Sequence, residues 1–308
     1  MDLRQLEYFL HAANTLNITH AALRGNVSQP ALSRQLRLLE EELSVRLFER
    51  KARGVVLTEA GVRLRDRVRI LLGDVDRIRE EVMNFDGEPR GVVRFAVSNS
   101  LTRMLTHLVV ADFQNRYPLV RIRIAEGTSM TIRQTLVSDQ ADVALMSDRE
   151  PRASLLVYPF VTESLCLIGP VEAKLDMRRP IPESLLIDKA LILTPFPNSL
   201  RRSVDEILVR NKTELEPKIE VDTNSLMLEL VRLGAGFCVL PYSGAHTLVA
   251  RREVSAAPIV DRHWTWIIAV QRDRAVSSAT HSLIEMLKER AAKLIGERKW
   301  KTAMLIAK

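Results

Sequence analysis

Cysteine is almost missing from this chain: its 308 residues include two, Cys166 and Cys238. Both fall in apolar, strand-like runs, so they read as core residues, not as a disulfide framework or a redox pair. No apolar run is long enough to span a bilayer, and the N-terminus lacks the apolar stretch of a secretion signal, which makes the cytoplasm the expected location. There is no phosphate-binding P-loop, no dinucleotide glycine fingerprint and no Gly-x-Ser-x-Gly nucleophile elbow. The six histidines, His11, His20, His107, His246, His263 and His281, are scattered without metal-ligand spacing. An enzyme is therefore not expected, nor a metal or cofactor. The formal charge of +7 permits a nucleic-acid partner, but residues 1–90 hold 15 Lys/Arg against 14 Asp/Glu, so local patterning has to carry that case.

What is present is the composition of a soluble globular protein, 46% hydrophobic and 27% charged, in a chain long enough for two or three domains. The most informative stretch runs from Ser28 to Leu43. Ser28 is a good N-cap and Pro30 is tolerated in a first helical turn. At 100° per residue Leu32, Leu36, Leu39 and Leu43 share a narrow stripe, while Gln29, Pro30, Ser33, Arg34 and Arg37 share the opposite face. Upstream, Asp2 can cap a helix carrying Leu3, Leu6, Phe9, Leu10 and Ala13, and Asn17 can cap a short one with Ala21 and Ala22 as close-packing residues. Gly25-Asn26 breaks it. The pattern is helix, tight turn, amphipathic helix. Leu47, Phe48, Val56 and Leu57 then suggest two short strands around a cationic tip at Arg50, Lys51, Arg53 and Gly54, a wing suited to phosphate or minor-groove contact.

The ordered run Ala21-Ala22…Val27-Ser28-Gln29-Pro30-Ala31-Leu32-Ser33-Arg34-Gln35, Leu38…Glu40…Leu43…Leu47-Phe48-Glu49-Arg50 and Leu57-Thr58-Glu59-Ala60-Gly61 resembles the N-terminal signature of LysR-type transcriptional regulators. The resemblance implies that Gln29, Pro30, Ser33 and Arg34 touch bases, and that Arg37, Arg50 and Arg53 meet phosphate or the minor groove. The chemistry suits those roles: Gln can pair bidentately with adenine, Arg with guanine, and Pro30 can pack on a thymine methyl. One departure stands out. Leu23-Arg24-Gly25 replaces the polar residue and packing Leu usual before the turn. Gly25 loosens the helix end by about 1 kcal/mol relative to Ala, and Leu23 is the expected compensation.

Beyond the wing, Thr58 can cap a long helix with Leu57 and Val62 as a hydrophobic staple. Leu64, Val68, Leu71, Val75, Ile78, Val82 and Phe85 recur at spacings of four and three, a heptad stripe that calls for a partner helix. This predicts a dimer whose two recognition helices read two half-sites; the resemblance adds a tetramer built from two dimers, and contact with RNA polymerase. Asp86-Gly87-Glu88-Pro89 ends the helix.

From residue 91 strands and helices alternate, which predicts two open α/β lobes, joined by crossing strands, around a cleft. Ligands of such sheets bind at strand carboxyl ends and helix N-termini. That singles out Ser98, Asn99 and Ser100, then Thr128 and Ser129, then Thr194 and Asn198, whose hydroxyl and amide groups suit a small anion such as a carboxylate. The resemblance implies a periplasmic-binding-protein-like (type II) effector domain with an inducer in the cleft. Asp142, Gly234-Ala235-Gly236 and Leu240-Pro241 match its landmarks, and Thr194 to Asp205 resembles the branch of the nitrogen assimilation regulators. The expected fold is α+β and multi-domain: a winged helix-turn-helix over 1–58, a linker and dimerisation helix over 59–88, and an effector domain over 91–308. In that domain lobe 1 covers about 91–162 and 267–308, and lobe 2 about 163–266. The expected function is effector-controlled, sequence-specific binding of double-stranded DNA. Two alternatives are a solute-binding or metabolic protein working through residues 91–308, and an architectural DNA-binding protein without an effector.

Overall fold

A computed structural model of the chain describes residues 1–306 apart from 52–53, 84–87, 148–152 and 214–216; the side chains of residues 50, 76, 77 and 79–83 also lie outside the described set. The chain divides into two compact units, Met1–Asp86 and Gly87–Lys308.

In the first unit, α1 (Leu3–Thr15) starts at a capping box. The Asp2 carboxylate accepts the Gln5 N–H at 2.8 Å and the Gln5 side chain accepts the Asp2 N–H at 3.0 Å. Asn17 caps α2 (Ile18–Arg24) through the His20 N–H. Ser28 caps α3 (Gln29–Leu43), with Pro30 in its first turn. Leu6, Phe9, Leu32, Leu36 and Leu39 fill the core, and Ala12, Ala21 and Ala22 let the helices approach closely. The expected compensation by Leu23 does not occur: Leu23 is 72% exposed. The space left by Gly25 is taken from the other side by Tyr8, whose ring would lie 3.1 Å from a Cβ placed there. Glycine at this position lets a large aromatic enter the helix–turn junction, which a packing Leu would block.

The wing consists of β1 (Phe48–Lys51) and β2 (Gly54–Leu57), antiparallel with Phe48 opposite Leu57. It is tied to α3 by Glu40, which accepts the Leu47 N–H at 2.7 Å and the Phe48 N–H at 3.1 Å while pairing with Arg46. Helix α4 (Glu59–Met83) begins at Thr58, whose hydroxyl accepts the Gly61 N–H at 3.0 Å and donates to the Arg46 carbonyl at 2.7 Å. The heptad stripe is not uniform along it. Val68 is 2% exposed and belongs to the core of this unit, with Leu64 packed beside it, because the first half of α4 lies against α1. These two residues therefore leave the expected dimer seam. Leu71 and Ile78 are 43% and 59% exposed and Val75 is half-buried. The side chain of Val82, and Phe85 altogether, lie outside the described residues.

The second unit contains β3 (Gly91–Ser98), α5 (His107–Arg116), β4 (Val120–Gly127), α6 (Ser129–Val137), β5 (Val143–Met146) and β6 (Leu155–Gly169). Then follow β7 (Ile192–Leu193), α7 (Ser199–Arg210), β8 (Ile219–Glu220), α8 (Asn224–Arg232), β9 (Cys238–Pro241), α9 (Tyr242–Ala250), β10 (Ser255–Gln271), α10 (Ser278–Gly296) and β11 (Met304–Leu305). A 3-10 turn at Asn99–Leu101 and a π-helical turn at Thr102–Thr106 lead into α5. β3 pairs in parallel with β4 and β5, and the buried apolar runs of β3 and β5 form the floor of one half. β7 and β8, with α7, α8 and β9, build the other half.

Crossing strands join the two halves, as expected. A seven-stranded sheet runs β11-β6-β10-β5-β3-β4 with β9 added to β6. The strands β6 and β10 are 15 and 17 residues long and pair antiparallel through both halves, with register shifts between Pro258 and His263 and between Trp266 and Ile267. The irregular stretch marks where the two strands pass from one half to the other.

Candidate functional site

On the first unit, the face of α3 opposite its leucine stripe is open. Gln29, Pro30, Arg34 and Arg37 are exposed and Ser33 is half-buried. The Gln29 amide donates to the Ser33 hydroxyl at 3.2 Å, which orders the first turn. Arg37 pairs with Glu41 at 3.3 Å, whereas no ion pair among the described residues holds Arg34. The Gln35 side chain instead accepts from Gln5 at 3.1 Å and joins α3 to α1. Both faces of the helix thus follow from sequence: Leu32, Leu36 and Leu39 turn inward and fix the axis, and short polar and cationic groups are left facing water; Leu43, at the end of the stripe, is exposed. Of the expected wing contacts, Lys51 pairs with Glu49 at 3.5 Å; the Arg50 side chain and Arg53 lie outside the described residues.

On the second unit, all seven expected ligand residues converge. Ser98, Asn99, Ser100, Thr128, Ser129, Thr194 and Asn198 line one cleft of about 440 Å³, measured with the solvent at its mouth. The topology explains this: Ser98 ends β3 and Asn99 and Ser100 follow it, Thr128 and Asn198 are the N-caps of α6 and α7, and Thr194 follows β7. Sequence patterning missed Asp222, Asn224, Trp264 and Trp266 as site residues, and Pro241 joins them in the wall. Asp222 and Asn224 flank the N-cap of α8, a signal of the kind that picked out Thr128 and Asn198. The two Trp rings meet edge to face at 6.1 Å on the crossing strand β10.

The lining groups divide by their existing bonds. Thr128 accepts the Thr131 N–H, Ser129 accepts the Ser147 N–H at 3.2 Å, and Asn198 accepts the Leu200 N–H at 2.8 Å. Ser100 accepts from Asn224 at 2.8 Å. By contrast, Asn99 Oδ1, Thr194 Oγ1 and Trp264 Nε1 are buried with no hydrogen-bond partner among the described residues. Behind the first turn of α7, Arg201 is held by Asp205 at 3.0 Å and by Glu220. Burial alone would lower its pKa, yet the hydrogen bonds and charges of these carboxylates raise it.

Below the cleft Glu163 is fully buried at the crossing of β6. Its carboxylate accepts the Ser243 N–H at 2.8 Å, the Ser243 hydroxyl at 2.6 Å, Trp266 Nε1 at 2.5 Å and Trp300 Nε1 at 3.1 Å. Burial pushes its pKa up, and these four donors pull it back. Cys166 and Cys238 are free and buried, and burial pushes both thiols up, so neither carries the thiolate character of a reactive cysteine. Among the described residues no helix is long and apolar enough to cross a membrane.

Residues 3–62 match the family model of bacterial regulatory helix-turn-helix proteins of the lysR family, and residues 86–292 match that of the LysR substrate binding domain. The nitrogen assimilation regulatory protein nac of Klebsiella aerogenes is 26% identical over 80% of this chain and 81% of its own. A full-length OxyR variant from Pseudomonas aeruginosa has a TM-score of 0.73 at 24% identity, covering 94% of both chains. CbnR complexed with its target DNA has a TM-score of 0.69 at 21% identity, covering 94% of this chain and all of that one. These two structures share the fold.

Proposed function

The chain belongs to the LysR family of transcriptional regulators, and on that premise we propose that the outer face of α3 reads the operator while the cleft of the second unit takes a small carboxylate effector. The observation that carries the reading is the division of labour on α3: Leu32, Leu36 and Leu39 are buried in the unit's own core, and Gln29, Pro30 and Arg34 are left outside with Ser33 half-buried among them. Such a face offers amide, hydroxyl and guanidinium groups to base edges in a major groove. Arg37, Arg50 and Arg53 serve phosphate or the minor groove. The exposed stripe of α4, with Leu71, Val75 and Ile78, pairs two copies, so that two recognition helices meet two half-sites. The assembly is a dimer that doubles to a tetramer, works in the cytoplasm and engages RNA polymerase.

In the cleft, the first N–H groups of α6 and α7 have no intrahelical acceptor and meet an anion favourably. Thr194 and Trp264 are the lining side chains whose unpartnered polar atoms can donate to it. Occupation of the cleft changes the disposition of its two halves and, through the oligomer, the spacing and bend of the bound DNA. The test is a footprint of the purified chain on genomic fragments: protection of two half-sites about one helical turn apart, or a multiple of it, is expected. Uniform coating of all fragments would instead support an architectural role.

A further inference from the structure

The charge around the effector cleft is not what a simple anion would meet. Among its 15 lining residues Asp222 is the one ionisable side chain. The guanidinium behind the wall, Arg201, is committed to Asp205 and Glu220, so it lends no free positive charge. Asp222 is exposed on the lobe that carries α8, and no ion pair holds it among the described residues. A dicarboxylate would face this carboxylate uncompensated. A simple cation would leave unused the N-terminal ends of α6 and α7, which favour negative charge.

Two groups able to donate a hydrogen bond lack partners on residues that line the same cleft. Thr194 and Trp264 are 4% and 5% exposed, and Thr194 Oγ1 and Trp264 Nε1 make no hydrogen bond among the described residues. Buried donors of this kind cost free energy unless something accepts from them. The Trp264 N–H can only donate and the Thr194 hydroxyl can donate. Together with the helix ends they ask for an acceptor-rich group, while Asp222 asks for a positively charged donor.

We propose that the effector is a small zwitterion, a carboxylate that also carries a protonated amine, with Asp222 as the residue that selects the amine. This rests on the reading of the cleft as the effector site and narrows it. The carboxylate takes the helix ends with Thr194 and Trp264, and the ammonium takes Asp222.

The test is thermal unfolding of the full chain with the protein amino acids as probes, each beside its deaminated carboxylate, and with succinate as the dicarboxylate. At least one amino acid should raise Tm by about 3–6 °C at ten times its Kd, with no rise from its deaminated counterpart or from succinate. Asp222→Asn should abolish that rise and Thr194→Val should reduce it. If carboxylates or succinate raise Tm as strongly as any amino acid, and Thr194→Val removes the effect, the cleft reading stands and the zwitterion falls. The same holds if Asp222→Asn leaves the response to the amino acid intact. If no probe shifts Tm, or the shifts ignore Thr194, both readings fall.

Discussion

The Asn224 side-chain amide donates to the Ser100 hydroxyl at 2.8 Å, and this single bond joins α8 of one half of the cleft to the turn after β3 in the other. Gly244 makes room for it: a Cβ there would lie 3.2 Å from Ser100 Oγ and 3.5 Å from Asn224 Nδ2. Ser100→Ala and Asn224→Ala should each lower stability by about 0.5–1.5 kcal/mol, and the double variant by no more than the larger of the two. Gly244→Ala should displace the same bond and add little to Ser100→Ala. Denaturant unfolding of the five variants checks this, and full additivity would show that the bond does not act as a unit.

Glu163 gives a pH-dependent expectation. A carboxyl whose folded pKa is raised favours the folded state most below the unfolded value of about 4.3, and that advantage is lost as pH rises through the folded value. The stability of wild type relative to Glu163→Gln should therefore decline from about pH 4.5 toward neutrality. Glu163→Leu leaves the Ser243, Trp266 and Trp300 donors without an acceptor and should cost at least about 3 kcal/mol at all these values. Urea titrations across this pH range measure both.

Glu40 is expected to hold the wing. Glu40→Ala removes the acceptor of the Leu47 and Phe48 N–H groups, and amide exchange at these two residues should accelerate sharply with a loss of about 2–4 kcal/mol. Its neighbour Glu41 makes only an exposed pair with Arg37, and Glu41→Ala should cost less than about 0.5 kcal/mol.

The stripe of α4 separates two roles that one heptad pattern conflates. Ile78→Asp and Leu71→Asp should yield folded monomers by sedimentation, because these side chains are exposed within the unit. Val68→Asp should unfold the first unit, because it puts a charge in its core.

Caps and apolar periods make much of the molecule legible. Asp2, Asn17, Ser28, Thr128 and Asn198 all cap helices at the places where the sequence puts them, since a side-chain acceptor next to free N–H groups is a local device. The long crossing strands look short in sequence because Thr162, Glu163 and Ser164 interrupt the apolar run. Glu163 is nonetheless buried, and its donors come from Ser243, Trp266 and Trp300, 80 or more residues away. Trp264 is invisible in sequence for the same reason: tertiary neighbours, not local spacing, bring it to the cleft, whereas Asp222 stands beside a helix N-cap that the sequence does signal. Tyr8 filling the place beside Gly25 is a packing choice between two helices that neither segment announces.

Selection of duplexes from a random pool by wild type, Arg34→Ala and Arg53→Ala tests the reading of α3 most directly. Wild type should select two related half-sites. Arg34→Ala should bind more weakly and lose discrimination of about 1–3 kcal/mol at one position of each half-site. Arg53→Ala should return the wild-type motif with affinity lowered for all sequences alike and a salt slope smaller by about one. Identical motifs and salt slopes for the two variants, or no motif from the wild type, would contradict the assignment of the outer face of α3 to base recognition.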